Sequence, residues 1–277
     1  MSTAAAEMLS SAILVVAHPD DEILWFSSVV DKVDEILFCF GDYPALPALG
    51  EGRRKVLAEY PLEHCSSLQL EESGSFSGAD WDHPLESPYG LEIVHGRRTE
   101  RRYRETYRLL EERLAEKLAG CRNVITHNPW GEYGHEDHVQ VYRAVETLQK
   151  RLSFRLWFSN YASNRSAALM FRYFSGFDTH YLTLPTNREL AHSLKSIYER
   201  HGCWTWYGGY QWFDQECFTE PLAAEERETE HGRLFPINML KTDLPSQPWK
   251  KPGLLSPTVE KLQRRLQRKL RNRKSGK

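Results

Sequence analysis

Residues 12–22 read AILVVAHPDDE: five apolar residues and an alanine run straight into His18-Pro19-Asp20-Asp21-Glu22. A short apolar run of this kind is a buried strand, and a polar cluster at its end falls where a helix starts. A second stretch, residues 123–138, repeats the arrangement. NVIT leads through a loop into GHEDH, with His135, Asp137 and His138 at the start of the next helical pattern. Three imidazoles and several carboxylates delivered to strand ends suit a metal and the movement of protons beside it.

Working outward, strand-like runs at 11–17, 33–40, 91–94, 123–127 and 154–159 alternate with helical patterns near 21–31, 52–69, 98–119 and 137–151. This alternation predicts an α/β fold: a Rossmann-like, mostly parallel sheet with helices on both faces. In such sheets ligands bind outside the carboxyl ends of the strands, where both polar motifs fall. Residues 71–90, rich in Gly, Ser and Pro, read as a surface or active-site loop. Residues 1–160 form the expected core and 161–257 its completion, including a strand-like run at 181–184, a helix near 187–201 and the aromatic segment 204–213. Pro-rich 236–257 reads as an extended strap, and 258–277 as a basic helical tail with Val259, Leu262, Leu266 and Leu270 along one stripe.

Composition narrows the class. No apolar stretch reaches the roughly 20 residues needed to span a bilayer, and five cysteines without a C-x-x-C pair suggest reduced thiols and a cytoplasmic setting. Residues 259–277 hold nine Lys/Arg against one acid, leaving 27 against 37 in the rest, so the acidic body is not built for nucleic acid. The tail suits either peripheral contact with an anionic membrane or docking on a subunit or on the body itself. P-loop, G-x-G-x-x-G and G-x-S-x-G strings are absent, so nucleotide hydrolysis, classical dinucleotide binding and serine hydrolysis lack their signals.

Each motif read alone is also the sequence of a well-capped helix, since carboxylates favour helix N-termini. Together, HPDDE and the string HNPWGEYGHEDHVQV resemble the LmbE/PIG-L family of zinc-dependent N-deacetylases over about residues 11–160. The resemblance implies His18, Asp21 and His138 as zinc ligands and Asp20 as general base. It implies His135 as proton donor or electrostatic stabiliser, Asp137 as the carboxylate orienting His135, and Tyr133 as a contact to the substrate carbonyl oxygen. Glu22 is a candidate to support the ligands from behind. A family arginine that contacts substrate is matched by Arg53 or Arg54, with Arg54 favoured; the family glycines after the first motif are replaced by Trp25-Phe26-Ser27-Ser28.

Three protein ligands leave an open position for water, and a His/His/Asp set holds zinc or another divalent ion such as Fe2+. The expected activity is removal of an N-acetyl group from an amino sugar or glycoconjugate. The alternatives are a zinc amidase on a non-sugar amide and a non-catalytic metal-binding or interaction protein. The aromatic group 204–213 suits both sugar-ring contact and packing of the core.

Overall fold

Strand β1 (Ala12–Val16) is an interior strand, third in a seven-stranded sheet, and the parity of its side chains divides the core in two. Ile13 and Val15 face one apolar layer; Ala12, Leu14 and Val16 face the other, as a period of two requires. Both layers are dry, and fully burying a side chain such as Leu14 is worth about 1.5–3 kcal/mol. The sequence therefore has to be apolar at every position of this strand, unlike a strand with one wet face.

The computed structural model describes residues 2–173, 181–221 and 235–246, all within a unit spanning residues 1–246. The chain opens with α1 (Thr3–Leu9), β1, α2 (Asp21–Trp25), β2 (Glu35–Asp42), α3 (Pro47–Ala58) and β3 (Cys65–Glu71). A two-residue ribbon, β4 (Glu86–Ser87) with β5 (Gly90–Leu91), precedes α4 (Arg97–Lys117), β6 (Asn123–Thr126), α5 (Glu136–Leu152) and β7 (Arg155–Ser159). Then come β8 (Tyr161–Ser163), α6 (Ala167–Met170), β9 (Leu182–Pro185), α7 (Arg188–Arg200), β10 (Gln215–Thr219) and β11 (Asn238–Leu240).

Sheet order is β3-β2-β1-β6-β7-β10-β9. The first five strands are parallel to one another, whereas β10 is antiparallel to β7 and β9. Helices α4 and α5 cover one face, and α1, α2 and α7 the other. The expected α/β architecture is the one observed. Chain order reverses direction across the sheet between β1 and β6, so the carboxyl ends of those two strands flank a topological switch point.

Several local expectations are corrected. The helical pattern near 52–69 is two elements: α3 starts at Pro47, ends before Pro61, and the chain continues as the edge strand β3. The pattern near 21–31 stops at Trp25, because the Glu216 carboxylate accepts from the backbone N–H and hydroxyl of both Ser27 and Ser28 and draws the chain away from helix. Residues 91–94 contribute only Leu91 to the small ribbon and none to the main sheet. The expected tail helix lies outside the described residues, as does the second half of the 236–257 strap. No helix among the described residues is long and apolar enough to cross a membrane.

Candidate active site

The residue after Ala17 begins the site. His18 leaves the carboxyl end of β1 and its backbone N–H donates to Asp21 Oδ2 at 2.7 Å, closing the turn that starts α2. Asp20, at the cap of that helix, sits at φ 106°. Such a conformation costs a non-glycine residue about 1–3 kcal/mol and persists only where neighbours hold it. Here the Asp20 N–H donates to Glu22 Oε2 at 2.9 Å, and the hydroxyls of Tyr60 and Tyr198 donate to Glu22 Oε1 at 2.9 and 2.7 Å. Glu22 thus supports the motif from behind, with its carboxyl pushed up to about 8 by burial.

The second motif arrives from the carboxyl end of β6 through a loop whose glycines are required by geometry. Gly131 and Gly134 both have positive φ, and a Cβ would meet the His135 carbonyl at 2.6 Å in one case and the Arg165 side chain at 2.9 Å in the other. The loop places His135 at the cap of α5 and Asp137 and His138 in its first turn.

His18, Asp21 and His138 converge, each buried, with one ligand atom apiece mutually within 4.8 Å. His18 Nδ1 is 3.3 Å from Asp21 Oδ2, and His138 Nε2 is 3.3 Å from Asp21 Oδ1. The remaining nitrogens are already engaged. His18 Nε2 lies 3.3 Å from Asp137 Oδ2, and His138 Nδ1 donates to Glu132 Oε2 at 2.7 Å. His138 Nε2 is left buried with no hydrogen-bond partner, a costly state for a polar atom unless something binds there.

Electrostatics agree. Burial opposes charge on both imidazoles, yet Glu72, Asp137 and Asp21 outweigh it at His18 and raise its pKa to about 10. Asp21 and Glu132 do the same at His138, to about 9. The pocket is a cluster of carboxylates that seeks positive charge, and its two-imidazole, one-carboxylate donor set with carboxylates behind each imidazole fits a divalent ion.

Beside this cluster, Asp20 Oδ2 accepts from the Thr205 N–H at 3.0 Å and the Thr205 hydroxyl at 2.6 Å. Burial, followed by the nearby Asp21 carboxylate, raises the Asp20 carboxyl to about 7 despite opposition from Thr205 and Arg53. His135 accepts the Asp137 backbone N–H at Nδ1, 3.1 Å away, which places its own proton on Nε2. Burial, and then the charge of His138, hold this imidazole well below its ordinary pKa, so it is neutral.

Two assignments change. The Asp137 carboxylate does not orient His135: Oδ2 faces His18 and Oδ1 accepts from the Ser75 hydroxyl at 2.9 Å, so only its backbone serves His135. Arg54 is half exposed and bonded to Asp42, outside the cleft. Its neighbour Arg53, one residue and therefore about 100° around the helix, is buried, lines the cleft and donates to Glu72 Oε1 at 2.5 Å.

A cleft of about 440 Å³ opens onto part of this cluster; His138 and Asp137 are not among the residues that line it. His18, Asp20, Asp21, Tyr133 and His135 line its interior, and Phe76, Trp206 and Tyr207 its aromatic walls. The aromatic group 204–213 divides between roles: Trp206 and Tyr207 face the cleft, whereas Trp212 is buried and its indole N–H donates to the Ile23 carbonyl at 2.5 Å. Residues 72–82 form a loop that contributes Glu72 and Phe76 to the cleft: Glu136, in the first turn of α5, accepts from Ser77 N, Ala79 N and Trp81 Nε1 and holds Phe76 against His135, ring centroids 4.8 Å apart.

Glu132, Thr205, Glu72 and Glu136 were not singled out from the sequence. Glu132 and Glu136 lie inside the HNPWGEYGHEDH string, and that proximity is the signal that could have found them. Thr205, 185 positions from Asp20, carries none.

No family model and no curated protein matches the chain. Among solved structures, it is similar to a deacetylase of teicoplanin biosynthesis in complex with teicoplanin, at 11% identity and a TM-score of 0.45 over 76% of this chain and 98% of that one. The zinc-inhibited form of a teicoplanin deacetylase gives 12% identity and a TM-score of 0.46, with 76% and 98% of the two chains covered. The A40926 pseudoaglycone deacetylase gives 13% and 0.45, with 77% and 97% covered. At such identities and scores the likeness carries no chemistry, which has to be argued from the side chains.

Proposed function

We propose that this cleft is the active site of a metal-dependent hydrolase that removes an N-acyl group, most simply acetyl, from an amino sugar or sugar conjugate. One observation carries the reading: ligand atoms of His18, Asp21 and His138 converge beside a buried carboxylate and a neutral imidazole, with His18, Asp20, Asp21 and His135 lining an open cleft.

His18, Asp21 and His138 would hold the ion, zinc or another divalent metal such as Fe2+. When bound, it supplies Lewis acidity, drawing the pKa of a water toward about 7 and polarising the amide oxygen. Asp20, held by Thr205 and with a pKa near neutrality, takes the proton of the attacking water. Tyr133, which lines the cleft, would donate to the amide oxygen as charge develops there. As the new C–O bond forms and the C–N bond breaks, Asp20 returns that proton to the departing nitrogen, while the neutral His135 stabilises the reacting amide through its Nε2–H. Acetate and a free amine leave.

The sugar preference rests on the motif resemblance and on the faces of Phe76, Trp206 and Tyr207, which suit the apolar faces of sugar rings. Arg53 takes the place of Arg54 as the substrate-side cation. The test is release of amine and acetate by the metal-loaded protein from N-acetylated sugars, nucleotide sugars and glycosides, with simple N-acetyl amino acids as the non-sugar arm. Turnover of the last set alone would keep the amide hydrolysis and remove the sugar. Stoichiometric metal without turnover of any would favour a metal-binding protein.

A further inference from the structure

One buried carboxylate oxygen in this protein serves two imidazoles. Glu132 Oε2 accepts from His138 Nδ1 at 2.7 Å and from His127 Nδ1 at 3.0 Å, and the two rings stack with centroids 3.9 Å apart. The other nitrogen of His127, Nε2, accepts the backbone N–H of Ala17 at 2.8 Å. Ala17 immediately precedes His18. The chain of contacts therefore runs from the backbone beside one candidate ligand, through His127 and Glu132, to the ring of another, linking the ends of β1 and β6.

Glu132 is itself fixed. It lies in the left-handed region at φ 47°, its Oε1 accepts the Asn128 N–H at 2.9 Å, and its own N–H donates to Asn128 Oδ1 at 3.0 Å. His127, Glu132 and His138 are all fully buried. The same three side chains also bring potential ligand atoms together. The hydrogen bonds argue against a second ion there, because both ring nitrogens of His127, Nδ1 of His138 and both oxygens of Glu132 are already bonded at 2.7–3.0 Å.

We propose that His127 and Glu132 form a strut that sets the tautomer and the orientation of His138, and with them the metal affinity of the site, without touching metal or substrate. Two donor rings facing one carboxylate oxygen leave His138 only one nitrogen to offer, Nε2, and the stacked His127 ring prevents it from turning away. Neither residue lines the cleft, so both are positioning residues. The inference rests on the proposed metal site.

The measurement is divalent-metal affinity by chelator competition on the full chain, with Zn2+ and with Co2+, whose visible absorption reports the geometry of coordination. Glu132→Gln can present an amide donor to His138 Nδ1 and so favour the wrong tautomer. It should weaken binding by about 10–100-fold, as removal of a carboxylate behind a metal-ligating histidine typically does, and change the cobalt spectrum while the metal-free protein keeps its thermal midpoint. His127→Phe retains a ring against His138 but loses both hydrogen bonds; a loss of about tenfold is expected, and this variant decides alone if Glu132→Gln does not fold. Wild-type affinity and spectrum in either folded variant would overturn the strut. A wild-type protein that binds neither ion would overturn the strut together with the metal reading beneath it, a result distinguishable because it needs no variant.

Discussion

Asp21 and His138 come from opposite sides of the switch point, yet Asp21 Oδ1 lies 3.3 Å from His138 Nε2. A carboxylate and an imidazole nitrogen held this close and buried share a cation: a proton in the metal-free protein, and a divalent ion when one is supplied. His138→Ala should therefore abolish stoichiometric binding of a divalent ion, since it removes one of three ligands. Metal content after loading and desalting checks it, and full occupancy in the variant would remove His138 from the site.

Asp20→Asn should keep metal and fold, because an amide oxygen still accepts from the Thr205 N–H and hydroxyl, and lose the proton acceptor. A positioned base contributes about 10²–10⁴-fold. Turnover on whichever substrate the acetate-release screen identifies should fall by that amount at unchanged metal content. Near-normal kcat in a metal-replete variant would place the base elsewhere.

The contrast between these residues and their partners explains what the sequence reveals. His18, Asp20 and Asp21 are legible because they follow an apolar run within a few residues, and His135 and His138 because they open the helical pattern that a loop joins to β6; both positions are local properties. The arginine is not: Arg53 and Arg54 are adjacent, and only the rotation of α3 decides that the first enters the cleft while the second pairs with Asp42 in solvent. Strand β3 is obscured for another reason. Its residues CSSLQLE are mostly half-buried at the sheet edge, so they lack the apolar signature of β1, and Pro61 was the signal that the preceding helix had ended. Asp137 shows the limit of motif reasoning in its own terms, since the right residue is present but its carboxylate serves His18.

The metal-free protein should lose stability as pH rises from 7 to 9. His18 and His138 hold protons up to about 10 and about 9 in the folded chain, against 6.5 as ordinary values. Asp20 and Glu22, raised from 3.8 and 4.5 to about 7 and about 8, act with the same sign. The folded state thus binds more protons than the unfolded state across this window, and linkage requires its stability to fall as they leave. Loading with a divalent ion replaces that positive charge, so the thermal midpoint of the loaded protein should be much flatter over the same range. Equal slopes with and without metal would mean that the ion does not sit among these groups.

Glu136 ties the active-site loop to the helix that carries His138, and its removal should loosen the one without unfolding the other. Its carboxylate accepts from Ser77 N at 3.0 Å, Ala79 N at 2.9 Å and Trp81 Nε1 at 3.0 Å, and Arg165 lies 3.7 Å away with its cation over the Phe76 and Trp81 rings. Glu136→Ala leaves buried donors and a buried cation without their acceptor, a loss of about 3–5 kcal/mol. Denaturant unfolding measures the global cost, and amide hydrogen exchange at Ser77 and Ala79 measures the local one. Because this loop holds the Phe76 ring against His135 at the cleft, substrate KM should rise while metal affinity, set by residues that the Glu136 carboxylate does not touch, stays near wild type. A variant that exchanges no faster at Ser77 and Ala79 than the parent would show that the loop is held by something other than this carboxylate.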